Sequence, residues 1–204
     1  TTIKVGGIAE YFAEPKSIKE FSYLIKWSSL NNQKCQIIGA GSNLLINNIL
    51  IKGLVICTKK MKSLTIEPYS GIVEAEAGVM LPTLSNSLAK NGLQGGEWAV
   101  GIPGTLGGAI YMNAGTGNLS LVKNLISMKV INNKTHEKLE IEKKDINFDY
   151  RFSSFQNNDL AIISAKLHFE PNGNKEKLIQ TTKNNLKSKT EKQPYHLPSF
   201  GSVF

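Results

Sequence analysis

The apolar positions of the chain change period several times, and each change marks an element. Ile18, Phe21, Leu24, Ile25 and Leu30 recur at helical spacing, which predicts a helix over 18–31 with one apolar face. Ser17-Ile-Lys-Glu20 is a capping box at its start, and Asn31 and Asn32 end it. Before it, Thr2 to Ala13 alternates loosely around Gly6-Gly7. That pattern predicts a short strand, a glycine turn and a second strand. After it, Cys35 to Ile38 and Gly53 to Thr58 are short apolar runs that read as strands. Strand, helix and strand in succession predict a βαβ unit with parallel pairing. This first lobe closes near residue 58, where Lys59, Lys60 and Lys62 form a basic, solvated connector.

A second lobe opens with a hairpin. Leu64 to Glu67 leads into the turn Pro68-Tyr-Ser-Gly71, and Val73, Ala75, Ala77 and Val79 then alternate with Glu74, Glu76 and Gly78. Thr83 to Asn91 reads as a short helix stopped by Gly92. Leu125 to Ile131 and Glu137 to Ile141 are predicted strands around Asn132-Asn133-Lys134, and Ala161 to Phe169 is another. Asn172-Gly173-Asn174 is a linker. Residues 175–192 form a lysine-rich helix with few apolar anchors (Leu178, Ile179, Leu186), so it needs a neighbour to be stable. The remainder runs extended.

Two glycine-rich stretches fit neither period. Gly101-Ile-Pro-Gly104-Thr-Leu-Gly107-Gly108-Ala109, continuing to Asn113-Ala-Gly115, carries five glycines, one proline and no charge. Glycine and proline argue against a regular helix, and Pro103 argues against a central strand. A compact loop remains, with backbone N–H groups able to form an anion-binding nest. It is either a tight structural connection or a phosphate or cofactor cradle. Gly39-Ala-Gly41-Ser42-Asn43-Leu44 begins like a dinucleotide fingerprint, but Leu44 stands at the third glycine and no helix pattern follows. The Rossmann reading therefore fails its own context. A cradle made by the amides of Gly41, Ser42 and Asn43, or a plain turn at a strand end, both stay open.

Composition narrows the picture further. At 204 residues, 41% hydrophobic and 20% charged, the chain is an ordinary globular protein, with no apolar run long enough to span a bilayer. The formal charge is +8, but the lysines lack interleaved aromatics, so no nucleic-acid partner is expected. Cys35 and Cys57 have no metal-ligand spacing and read as buried free thiols. His136, His168 and His196 are scattered, so no metal is expected. Of the 24 basic residues only Arg151 is an arginine, the one planar fork suited to a carboxylate. The chain opens on Thr1-Thr2 and stops at Gly201-Ser202-Val203-Phe204 in mid-pattern, so it reads as a piece of a longer protein.

Four stretches now stand in a telling order. They are Gly39-Ala-Gly-Ser-Asn-Leu-Leu45, the 101–115 stretch, Tyr150-Arg151, and Gln193-Pro followed by Pro198-Ser-Phe-Gly-Ser-Val-Phe204. The opening Thr2-Ile-Lys-Val-Gly-Gly7 fits with them. Together they resemble the UDP-N-acetylenolpyruvoylglucosamine reductases, the MurB flavoenzymes of bacterial cell-wall synthesis, over essentially the whole chain. The resemblance implies an α+β, two-lobed FAD-binding fold of the vanillyl-alcohol-oxidase type. Its lobes would be 1–58 and 59–172, with a third, substrate-binding domain beginning at 173–204.

It also implies FAD held along Gly39, Ala40, Gly41, Ser42, Asn43 and Leu44, and along Gly101, Ile102, Pro103, Gly104, Thr105, Gly107, Gly108 and Ala109, with Asn113 and Gly115 nearby. NADPH would reduce the flavin. Hydride would pass from flavin N5 to the β-carbon of an enolpyruvyl ether on a UDP-sugar. Arg151, placed by Tyr150, would stabilise charge on the carboxylate, and Ser202 would protonate the α-carbon. The implied protein is a cytoplasmic monomer. Phe200 departs from the small residue usual beside that serine. The short run from Arg151 to Ser202 resembles the group without an extra substrate-covering loop. The family's third catalytic group, a glutamate, falls beyond this chain. Two other readings stay open. One is a truncated, inactive FAD-binding protein. The other is a different FAD oxidoreductase of the same fold, against which the Tyr150-Arg151 and Gly201-Ser202 pairs stand.

Overall fold

The structure, a computed structural model, describes residues 1–193 and 197–199. In the first lobe, helix α1 (Ile18–Leu30) starts where the Ser17 side chain accepts the Glu20 amide. The other half of the capping box shifts by one residue, because the Glu20 carboxylate accepts from the Lys16 amide instead. Strands β1 (Ala9–Ala13), β2 (Cys35–Ile38) and β3 (Ile51–Cys57) form a parallel sheet in the order β1-β3-β2. The expected βαβ unit is present, with β3 inserted between the two strands that α1 connects. The strand expected at the start of the Thr2–Ala13 stretch does not form. There the Lys4 amide turns back to Thr1 O and the Thr2 amide donates to Gly41 O, so this segment lies as a turn on the 39–44 loop.

The second lobe is a five-stranded antiparallel sheet, β4-β5-β12-β8-β9. Its strands are β4 (Leu64–Glu67), β5 (Ile72–Glu76), β8 (Leu125–Asn132), β9 (Lys138–Glu142) and β12 (Leu160–His168). Two short hairpins hang from it: β6 (Gly115–Thr116) with β7 (Leu119–Ser120), and β10 (Phe148–Asp149) with β11 (Phe152–Ser153). Helix α2 (Leu81–Lys90) begins earlier than its apolar period indicates. Pro82 sits in its first turn, where a missing N–H costs no helical bond. Leu81, Leu84 and Leu88 of α2 join Val73, Met128, Val130 and Leu167 of the sheet in one core. Helix α4 (Lys175–Lys192) finds the neighbour it needs. It packs on α2 and the 97–101 turn, burying Leu178 and Thr182.

The 101–115 stretch overturns the expectation of a loop without helix, for residues Leu106–Tyr111 form helix α3. Its glycines are there for proximity. A Cβ on Gly107 would stand 2.9 Å from Ala77 Cβ, and the Gly107 amide donates to Ala77 O at 2.9 Å. Close approach to the sheet outweighs a propensity penalty of about 1 kcal/mol per glycine.

A second apolar cluster joins the lobes. Phe21, Ile25, Leu54 and Ile56 from the first pack with Met61, Ile131, Ala161 and Ile163 from the second. Each fully buried large side chain contributes roughly 1.5–3 kcal/mol, so this seam fixes the lobes and the gap between them. No helix among the described residues is long and apolar enough to cross a membrane.

Candidate functional site

Two glycine loops meet in the gap between the lobes. Residues 39–44 leave the C-terminal end of β2, the end at which open α/β sheets bind ligands. Residues 101–105 lead into α3 from the other side. Ser42 Oγ donates to Pro103 O at 2.8 Å and pins the loops together. Gly39 lies against Thr105 so closely that an added Cβ would collide with Thr105 Oγ1. That hydroxyl also accepts from the Gly108 amide at 3.5 Å, capping α3. Among the described residues, no hydrogen bond uses the amides of Gly41, Ser42 or Asn43. Successive bare amides of this kind make a nest for a phosphate.

The loops border a cleft of about 1300 Å³, larger than the roughly 300–1,000 Å³ usual for a drug-sized ligand. Lobe one contributes Cys35–Ile38 beside the 39–44 loop, and lobe two contributes Leu160–Ile162, Asn133 and Asn158. Leu197–Ser199 also line it, and Thr2 Oγ1 donates to Ser199 O there. The cations on the wall, among the described residues, are Lys4, Arg151 and Lys189. The Lys189 stem lies over Gly101, where a Cβ would meet Lys189 Cγ at 2.8 Å. Cys35 is only partly buried, not buried as its apolar run suggests, and burial pushes its thiol above its ordinary pKa, against a smaller opposing effect from the Ser28 hydroxyl. The thiol therefore stays protonated and weakly nucleophilic. Cys57 is buried and also free.

Arg151 reaches the cleft from the tip of the β10–β11 hairpin. Phe148 pairs with Ser153 and Asp149 with Phe152, which leaves Tyr150-Arg151 as a two-residue turn. Arg151 has φ 52°, in the left-handed region that costs a non-glycine residue roughly 1–2 kcal/mol. Its Nη2 donates to Gly115 O at 3.2 Å and its Nη1 to Asn113 O at 3.5 Å. The guanidinium carbon stands 5.0 Å from the Tyr150 ring centroid, a cation–π distance. Two of the five N–H groups are thus spent on carbonyls, and the rest of the fork is available for an anion.

A family model for an FAD binding domain matches residues 9–137. A UDP-N-acetylenolpyruvoylglucosamine reductase from Prochlorococcus marinus subsp. pastoris is 72% identical over all 204 residues, which cover 69% of that protein. The chain belongs to the UDP-N-acetylenolpyruvoylglucosamine reductase family. A second reductase, from Prochlorococcus marinus strain NATL2A, is 45% identical over the same span, again 69% of its length. The crystal structure of the Thermus caldophilus reductase (MurB) superposes with a TM-score of 0.79 at 26% identity, covering the whole chain and 70% of that protein. An alkyldihydroxyacetonephosphate synthase at 17% identity shares the fold alone, with a TM-score of 0.58 over 78% of this chain and 31% of its own. The chain thus spans about two thirds of the length of these reductases, and its fold is the two-lobed FAD-binding fold.

The structure brings most of the positions that the resemblance implies to one cleft and leaves a few outside it. Gly39 to Leu44, Gly101 to Thr105, Gly107 to Ala109, Gly115 and Arg151 all line the cleft. Asn113 and Tyr150 are not brought to its wall. Asn113 points its side-chain amide at Asp149 O, 2.8 Å away, and Tyr150 is 81% exposed. Ser202 and Phe200 fall outside the described residues. Lys189, Ser153 and Gln156 were not singled out by the sequence. Nothing in their spacing marks them, because only the fold brings each to the site.

Proposed function

We propose that this chain carries the cofactor cleft and the carboxylate-binding arginine of an NADPH-dependent reductase. Its substrate would be the enolpyruvyl ether of UDP-N-acetylglucosamine, which it turns into UDP-N-acetylmuramate. The observation that carries the reading is the convergence on one cleft of the phosphate nest at 41–43 and the anchored fork of Arg151. FAD fits the residues present. Its diphosphate suits the nest and the Lys189 charge, and its rings suit the apolar wall formed by Ile37, Ile102, Ala109 and Ile162.

FAD held by these residues and reduced by NADPH would supply the hydride. When the β-carbon of the ether receives it, negative charge builds at the α-carbon and spreads into the carboxylate. Arg151 stabilises that charge more in the transition state than in the ground state. Its placement is fixed beforehand by the carbonyls of Asn113 and Gly115. Ser202, which the family pattern makes the proton donor, then delivers a proton to the α-carbon. The C–H bonds formed and the C=C bond lost balance with one hydride and one proton. Residues 173–204, beginning with α4, would be the start of the substrate domain, and the working state a cytoplasmic monomer.

The test is an anaerobic absorbance series on the full-length enzyme. Added FAD should give a bound-flavin spectrum, NADPH should bleach it, and the enolpyruvyl UDP-sugar should restore it. A flavin that binds and bleaches but is not reoxidised by this substrate would overturn the substrate assignment. Absence of bound flavin would overturn the site.

A further inference from the structure

We infer that Asn113 and Gln156 are positioning residues for Arg151, holding its backbone in the left-handed turn and its guanidinium at the cleft. The inference rests on the reading of Arg151 as the carboxylate-binding cation. It starts from a cost. A two-residue turn with a left-handed second residue is usually given to glycine or asparagine, yet here an arginine occupies it. Something outside the turn must hold it there.

The holding comes from two amides. The Gln156 side-chain nitrogen donates to Arg151 O at 3.3 Å and to Tyr111 O at 3.2 Å, with Met112 Sδ 3.6 Å away. One carboxamide thereby ties the turn to the last carbonyl of α3, that of Tyr111, which has no partner within the helix. Ser153 Oγ adds a bond of 2.6 Å to the same Tyr111 carbonyl. Asn113 grips the turn from the other end. Its side-chain nitrogen donates to Asp149 O, the carbonyl entering the turn, at 2.8 Å. Its own main-chain carbonyl receives Arg151 Nη1.

Asn113 is itself left-handed, with φ 43°, and its Oδ1 is buried without a partner. The residue gives up one hydrogen bond and a relaxed backbone in order to aim its donor at the hairpin. A side chain whose task was to bind a ligand in the cleft would line the cleft, and this one does not. The arrangement instead couples the end of α3, which follows the cofactor loop, to the residue that meets the substrate.

The test uses the full-length enzyme and three variants. Asn113→Gly keeps a backbone that accepts positive φ but removes the donor to Asp149 O. Gln156→Leu removes the donor to Arg151 O and Tyr111 O, and Gln156→Lys restores a donor of similar reach. Reoxidation of reduced enzyme by the enolpyruvyl substrate should fall about 10- to 100-fold in Asn113→Gly and Gln156→Leu, the scale of a misplaced catalytic group. FAD affinity and flavin reduction by NADPH should stay within about twofold, and Gln156→Lys should recover most of the loss. Unchanged reoxidation, or equal loss of FAD binding and both half-reactions, would overturn the assignment.

A second readout does not depend on turnover. The Nε–H resonance of Arg151, identified by its disappearance in Arg151→Lys, should be sharp and dispersed in the unmodified enzyme and averaged in both weakened variants. A resonance already averaged in the unmodified enzyme overturns the positioning roles. A fixed resonance in an enzyme that does not reduce the ether overturns the substrate reading and leaves the positioning intact.

Discussion

Arg151→Ala in the full-length enzyme should lower reoxidation of reduced flavin by the enolpyruvyl substrate by 10²- to 10³-fold, while NADPH still reduces the flavin at close to its normal rate. Removing one preorganised electrostatic partner of a developing anion costs about that much. The split between half-reactions follows from where the guanidinium stands. It is anchored on Asn113 O and Gly115 O, so alanine deletes a charge meant for the substrate and leaves the 39–44 and 101–105 loops untouched. Arg151→Lys should recover little, because an ammonium cannot span two carbonyls and a carboxylate as a planar fork does. Stopped-flow measurement of each half-reaction decides the matter. Equal loss in both would show that Arg151 supports the fold or the flavin instead of the substrate. An unaffected reoxidation rate would make it a surface arginine on a turn.

The other large effect should come from Gly39→Val. The new side chain has to enter space held by Thr105 Oγ1. Overpacking of this sort costs about 1–3 kcal/mol. Displacing Thr105 also uncaps α3, at about 0.5–2 kcal/mol. The two loops would then part at the point where Ser42 and Pro103 hold them. FAD affinity should drop roughly 10- to 10³-fold, because the bound state needs both loops together. Flavin-fluorescence titration measures it, and circular dichroism of the unliganded variant checks that the lobes still form. Affinity equal to that of the unmodified enzyme would show that the contact between these loops does not matter for the cofactor.

Much of this architecture is legible in the residue pattern, for identifiable reasons. The apolar period of α1 and its Ser17 cap are local signals, and they place the helix within one residue. The 175–192 period places α4 at its observed ends. What the sequence conceals is whatever depends on tertiary proximity. Gly107 and Gly108 lower helix propensity, yet α3 forms because the glycines permit contact with Ala77 that a larger residue would prevent. The order β1-β3-β2 leaves no trace in hydrophobic spacing, since parallel partners are far apart along the chain. At the site, the glycine loops are readable because close approach and a positive φ, as at Gly39 and Gly41, favour glycine. Asn113 is readable as a special position but not for its task, which depends on Asp149 lying opposite it 36 residues later. Gln156 carries no spacing signal at all; only the fold brings it beside Tyr111 and Arg151.

The strand orders have a consequence for how the molecule is made. In each lobe the middle strand is the last one in the chain: β3 lies between β1 and β2, and β12 lies between the β4–β5 and β8–β9 hairpins. As the polypeptide leaves the ribosome, β1 and β2 have no partner until residues 51–57 emerge. The two hairpins remain separate ribbons, each marginal alone, until residues 160–168 arrive to join them. Ala161 and Ile163 of that same late strand also seal the seam between the lobes. The two walls of the cleft are therefore held against each other only once residues 160–168 have emerged, although the 39–44 loop is in place well before.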